Sequence, residues 1–288
     1  MDRHEYQRLQ AKNFYDNLRE GVAPPFFRWQ DPDTPLPQIG GEPRGVSGYC
    51  FEADNALQLA MAAKAQGFQS PYWLSTEQAN AAGGYIRKGE VGTKILKWIR
   101  KDGQLSERVP ATVFNADQIK GLNLPRQKGL TSEQQATRQA GLDALIAPRK
   151  KAPTMEQYNT RLRQLMAQKF PAQEDVQDNA RMALRREYAV MTGQARLGLP
   201  REVEPELAQE LKPFIENRPH PQEVVRALDD AYAALKEVGI EPLVYANVPR
   251  KEMAQQPVKP ASEPRPKRER TQAKAKEKGR EQSNSIPF

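Results

Sequence analysis

The chain predicts an α+β fold: an N-terminal α+β domain built around an antiparallel hairpin, then a small α-helical region, then a disordered basic tail. Three observations predict it. Between residues 71 and 121 a helix with written ends is followed by two β-type runs, Thr93 to Arg100 and Val109 to Phe114, around Asp102-Gly103. That dipeptide suits a tight hairpin turn because its residues tolerate positive φ. From Thr154 the apolar residues change to helical spacing, as in Tyr158, Leu162, Leu165 and Met166. Beyond residue 249 apolar residues nearly vanish while prolines and cations accumulate, so that segment cannot build a core.

Residues 2–20 read as a helix with a loose stripe of Tyr6, Leu9, Phe14 and Leu18, ended by Gly21. Residues 22–48 carry six prolines and read as an extended arm. Phe26, Phe27, Arg28 and Trp29 in that arm are either a stacking platform or rings folded onto the core, since exposed rings are costly without a partner. A second helix spans Asp54 to Ala65, with Leu57, Leu59, Ala60 and Ala63 as apolar surface. In the next one, Ser75 caps the start and Gln78, three residues on, returns the bond. Gly83-Gly84 stop it, because glycine accepts the left-handed conformation at a helix end. Asn115 and Gln118 repeat the capping pattern, which favours a structural role for both. The first domain is bounded at 1–125, with 126–153 as a linker holding one weak helix from Ser132 to Ile146. About four helices follow in the helical region, 154–248. The tail is 249–288. From Lys251 onward it holds ten Lys and Arg against five Glu, most of the whole chain's net charge of +8.

A chain of 288 residues with 38% hydrophobic and 28% charged residues is polar for one globule. The basic balance favours anionic partners, nucleic acid before membrane, since no amphipathic basic helix stands out. No run approaches the roughly 18 apolar residues of a membrane span. The first residues carry no apolar core of a signal peptide. The one cysteine, Cys50, forms no internal disulfide and fits a cytoplasmic setting.

Within 71–121, Arg87, Lys88, Lys94, Lys97, Arg100 and Lys101 are interleaved with Trp73, Tyr85 and Trp98. Cations meet phosphates, and flat rings accept unpaired bases whatever their identity, so this pattern points to single-stranded nucleic acid. At most two of the three rings should face solvent, because Ile95, Leu96 and Ile99 need partners for burial. No catalytic constellation is expected. A zinc peptidase needs two histidines one helical turn apart. The chain has only His4 and His220, and after His4-Glu5 the second ligand position is Arg8. There is no P-loop signature, and Asp229-Asp230 read as a solvated pair. No metal or cofactor is expected.

The ordered pattern Pro71, Trp73-Leu74-Ser75, Gln78-Ala79, Gly83-Gly84, Ile86-Arg87-Lys88-Gly89-Glu90, Gly92-Thr93, then Val113-Phe114-Asn115, Gln118-Ile119 and Gly121-Leu122 resembles the N-terminal domain of ArdC-type antirestriction proteins. The same domain heads some plasmid primases. The resemblance covers roughly residues 5–125. It implies a domain that binds single-stranded DNA with little sequence preference, in an accessory protein of a mobile element serving conjugation or antirestriction. Ala183 to Pro200 and Pro221 to Ala231 resemble, more weakly, the helical segment that follows the peptidase core in such proteins, which implies that both flanks are present and the zinc peptidase core is lacking. Alternative functions are an accessory domain of a primase or peptidase system, or an adaptor for replication proteins. The adaptor rests on the terminal Ile286-Pro287-Phe288, similar to the end of bacterial single-stranded-DNA-binding protein, which docks on repair and replication proteins. The acidic run that precedes the tripeptide there is absent here.

Overall fold

A computed structural model describes residues 5–6, 8, 12, 42–51, 53–101, 104–125, 129–200, 206–217 and 221–250. Of the expected N-terminal helix, Glu5, Tyr6, Arg8 and Lys12 are described and helical. Phe26 to Trp29, the Asp102-Gly103 turn, both histidines and the tail from Lys251 with Ile286, Pro287 and Phe288 lie outside the described residues.

Helix α1 (Ala53–Gln66) is the wall that two cores share. Leu57, Ala60 and Met61 pack into the helical core, whereas Leu59 joins Phe68, Trp73, Ile95 and Val113 under the sheet. Burial on both sides is why its apolar residues form no single stripe. Asp54 favours the helix start by lying in the first turn, where the helix dipole attracts negative charge.

The sheet has strand order β1 (Trp73–Leu74), β4 (Gln104–Asn115), β3 (Thr93–Lys101), all antiparallel. A ribbon of β2 (Tyr85–Ile86) and β5 (Ile119–Lys120) stands beside it. Between β1 and β2 runs α2 (Thr76–Ala81), with the expected Ser75–Gln78 capping box in place. The returning strand is longer than Val109 to Phe114, because pairing with β3 continues through polar residues down to Lys101↔Gln104. A register shift at Ile99/Arg100 pairs Ile99 with Glu107 but Arg100 with Leu105, so Ser106 is an extra residue in β4. The free edge of β3 is closed by Asn55 of α1, whose amide donates to Leu96 O (2.8 Å) and accepts from Leu96 N–H (2.9 Å). Opposite Leu96 is Pro110, tolerated because its missing N–H faces the side of β4 that has no neighbour at this level.

The helical part holds α4 (Met155–Lys169), α5 (Val176–Leu197), α6 (Leu207–Asn217) and α7 (Pro221–Glu237), the four helices expected between 154 and 248. Central α5 is buried along most of its length, capped by Asp175 and ended by Gly198 in the left-handed conformation. Gly193 lets α4 and α7 approach, since an added Cβ would lie 3.0 Å from Leu162 and 3.1 Å from Leu235. The segment 126–153 carries α3 (Ser132–Leu145), held by a Thr131–Gln134 capping box, with Leu142 and Leu145 in the helical core. Sequence spacing made α3 look weak because its other core contact is polar: Gln134 donates to Val244 O (2.6 Å). No described helix is long and apolar enough to cross a membrane.

After α7 the chain returns to the sheet part. Tyr245 N–H donates to Gly48 O (3.0 Å), Val248 N–H to Val46 O (2.7 Å), and the Tyr72 hydroxyl to Ala246 O (2.9 Å). Gly48 has φ +76°, and a Cβ there would fall 1.8 Å from Tyr245 O, so no other residue fits. Buried Arg44 stacks on Tyr245, 3.4 Å from the ring centroid, and lies 5.2 Å from Tyr72. Nearby, Arg196 Nε donates to Glu42 Oε1 at 3.4 Å, the side chains only 2% and 5% exposed. Burial, then Glu42, pushes the Cys50 thiol well up, and its S–H points to Leu243 O (3.6 Å). Removing one partner of a buried ion pair strands the other charge. Arg196→Met should therefore cost about 3–5 kcal/mol in urea unfolding. Adding Glu42→Leu should restore part of the loss, because both charges are then gone.

Candidate nucleic-acid interface

The loop Arg87-Lys88-Gly89-Glu90 follows β2 and is tied down by hydrogen bonds. Gln118, fully buried in a 3₁₀ turn (Ala116–Gln118), is the knot. Its Nε2 donates to Glu90 Oε2 and to Val91 O, both at 3.0 Å, while its Oε1 accepts from Asn115 N–H (2.9 Å). Asn115 in turn accepts from Asp117 N–H (3.0 Å) and donates to Ser70 O (2.8 Å). Arg87 closes the loop through Nε to Glu90 Oε1 (2.8 Å) and a second guanidinium nitrogen at 2.6 Å. Gly89 supplies the turn with φ +88°. The Arg-Lys-Gly-Glu and Asn-x-x-Gln motifs, separate in sequence, are thus one hydrogen-bonded unit.

Two of the three predicted rings reach the surface. Tyr85 is 58% exposed and Trp98 51%, whereas Trp73 is 1% exposed. Trp73 is a correction to the set of stacking residues. Its indole meets Phe68 edge to face at 5.8 Å, inside the sheet core with Leu59, Ile95 and Val113. Trp98 is backed by Arg108, its cross-strand partner, whose guanidinium is 5.9 Å from the ring centroid and is fixed by a 2.6 Å ion pair to buried Asp54. Tyr85 pairs across the ribbon with exposed Lys120. Arg108 and Lys120 are further cations beside these rings that the sequence reading did not name. Lys120 comes beside Tyr85 only through the β2–β5 pairing, and Arg108 faces Trp98 only because of the bulge at Ser106.

Arg87, Lys88, Lys94 and Lys97 are exposed. They do not form one stripe. Strand alternation places Lys94 and Trp98 on one face of β3 and Lys97 on the other. Lys94 Nζ donates to Thr112 Oγ1 (2.5 Å). Lys97 lies towards α2: the Glu77 carboxyl is held below its usual range first by the Ser75 hydroxyl and, more weakly, by Lys97. Arg100 and Lys101 are paired positions of β3, but their side chains lie outside the described residues. Ile286, Pro287 and Phe288 lie outside them too. Asp230 accepts from Arg185 Nε (2.7 Å), which ties that carboxylate to α5.

Residues 5–138 match the model of the N-terminal domain of anti-restriction factor ArdC. Two DNA primases TraC of Escherichia coli align with 32% identity over 139 residues and 29% over 148. These cover 39% and 41% of this chain but only 12% and 9% of the primases. The fold is similar to the crystal structures of the antirestriction protein ArdC from plasmid R388. The Mn(II)-bound form gives TM-score 0.59 at 21% identity, covering 81% of this chain and 97% of that one. The metal-free form gives 0.55 at 20% identity, covering 82% and 98%. The fold likeness therefore runs past residue 138 into the helices. The manganese belongs to the R388 protein. Among the described residues here no group of three or more His, Cys, Asp or Glu side chains could hold a metal ion.

The loop makes a pH prediction. Glu90 is depressed first by the Gln118 hydrogen bond and then by Arg87, so this stabilisation is full above the ordinary Glu range and is lost as pH falls through the lower folded value. Carboxyl NMR should show Glu90 titrating below the ordinary Glu range, and Gln118→Ala should move its midpoint up.

Proposed function

We propose that this chain, whose residues 5–138 belong to the ArdC N-terminal domain family, is a non-catalytic accessory protein of a mobile element that binds single-stranded DNA without sequence preference. The observation that carries this reading is the pair of exposed rings, Tyr85 and Trp98, with Arg87 and Lys88 in the loop after Tyr85, Lys120 across the ribbon from it and Lys94 on the Trp98 face of β3, in elements that buried hydrogen bonds hold in place. A ring fixed before binding loses little entropy when a base stacks on it. Cations near the rings supply the sequence-independent phosphate term. Protection of incoming DNA during conjugation, or interference with restriction, is the setting suggested by the relation to ArdC. The TraC match favours one alternative, an accessory role beside a primase catalytic domain, because in those primases the matched part is a small share of a far longer chain.

Fluorescence anisotropy with a labelled oligonucleotide should show salt-sensitive binding, stronger for a single strand than for its duplex. Tyr85→Ala and Trp98→Ala should each cost about 1–3 kcal/mol in affinity with little change in melting temperature. Trp73→Ala should instead lower the melting temperature. Absence of salt-sensitive binding by the unaltered chain would overturn the reading.

A further inference from the structure

The corner between α3 and α4 carries a second concentration of cations, on the helical part of the chain. α3 closes with Ile146 N–H on Leu142 O (3.0 Å), and α4 starts at the Thr154 cap. The connection bends around a groove of about 1150 Å³ whose lining includes Arg149, Lys150, Lys151 and Arg161, with Glu156 as its one acidic residue. Arg149, Lys150 and Lys151 are exposed, and no ion pair among the described residues engages them. Arg161 is anchored through Nε to Leu145 O (3.4 Å), and no ion pair among the described residues engages it. The α4 capping box already uses Gln157 N–H and Thr154 N–H, so the side-chain cations rather than these two groups are what the groove offers an anion. The lining contains no aromatic ring. That distinguishes it from the hairpin surface: it suits a polyanion's phosphates and offers nothing on which a base could stack.

We propose that this groove is a second contact for the phosphodiester backbone of single-stranded DNA, separate from the ring-bearing hairpin surface. The inference rests on the single-stranded-DNA reading above and adds to it a site outside the strands. Four cations without carboxylate partners in an open groove are an unfavourable concentration of like charge that a phosphate chain relieves.

The test is a salt series of oligo-dT anisotropy on the full chain in three forms. These are the unaltered protein, Arg149→Gln/Lys150→Gln/Lys151→Gln, and a control of equal charge loss, Lys64→Gln/Lys212→Gln/Arg226→Gln. All six positions are exposed, and equal melting temperatures would show that each form folds. The groove form should lose about 2 from the slope of log affinity against log salt, three phosphate contacts at about 0.7 each, while the control keeps the slope of the unaltered chain. A groove form with an unchanged slope, or a control that loses as much as the groove form, overturns the proposal. If the unaltered chain does not bind, both this site and the single-stranded-DNA reading fall. If it binds and is weakened by Tyr85→Ala or Trp98→Ala but not by the groove substitutions, only the groove falls.

Discussion

The buried guanidinium of Arg44 is the contact on which the join between sheet and helices depends. A desolvated cation is tolerated only where something replaces water, and here the faces of Tyr245 and Tyr72 do so. Tyr245 comes from the segment after α7, nearly 200 residues further along the chain than Arg44. Its arrival places Leu243, Tyr245 and Val248 against the sheet part and completes the backbone bonds to Val46 and Gly48. Arg44 also pairs through its backbone with Pro71 and Trp73, so the same residue aligns β1. Its burial therefore couples the start of the sheet to the end of the helical part. Arg196 with Glu42 does the same from the α5 side, and Arg196 further reaches Ile240 O (3.3 Å).

That join also gives the hairpin a fixed backing. The hairpin is backed by α1, whose Asn55 clamps its open edge and whose Asp54 fixes Arg108 beneath Trp98. α1 is in turn wedged into the helical core by Leu57, Ala60 and Met61. The Arg87–Glu90 loop is tied from the other side by Gln118. Rings and cations are thereby carried by elements already held in place, which for the proposed binding would preserve energy that a mobile loop would lose.

Much of the local structure was legible in the residues. The capping boxes at Ser75–Gln78 and Asn115–Gln118, the stop at Gly83-Gly84, the two strands of the hairpin and the four later helices follow from short-range hydrogen bonding and apolar period. The structural reading of Asn115 and Gln118 was open to the same argument. Trp73 was not assignable: a tryptophan between two apolar neighbours is equally consistent with a core and with a stacking face, and only Phe68, Leu59 and Val113 decide the matter. Arg108 was hidden for a different reason. A plain two-residue turn at 102–103 would set Glu107 opposite Trp98, and a single extra residue at Ser106 replaces that carboxylate with a guanidinium.

By itself the sequence determined the fold class, the family resemblance, the position of the basic hairpin and the residue types available on it. Helix ends, turns and apolar period depend on neighbours within a few positions, so they are written in order along the chain. Tertiary structure decided which ring is core and which is surface and which cations share a face. It also decided that 132–145 is a helix built into the core, that the last described segment returns to Arg44, and that Arg149 to Lys151 meet Arg161 around one groove. Those outcomes depend on contacts between residues distant in sequence, on a one-residue bulge and on the desolvation of particular charges, and none of these has a local signature.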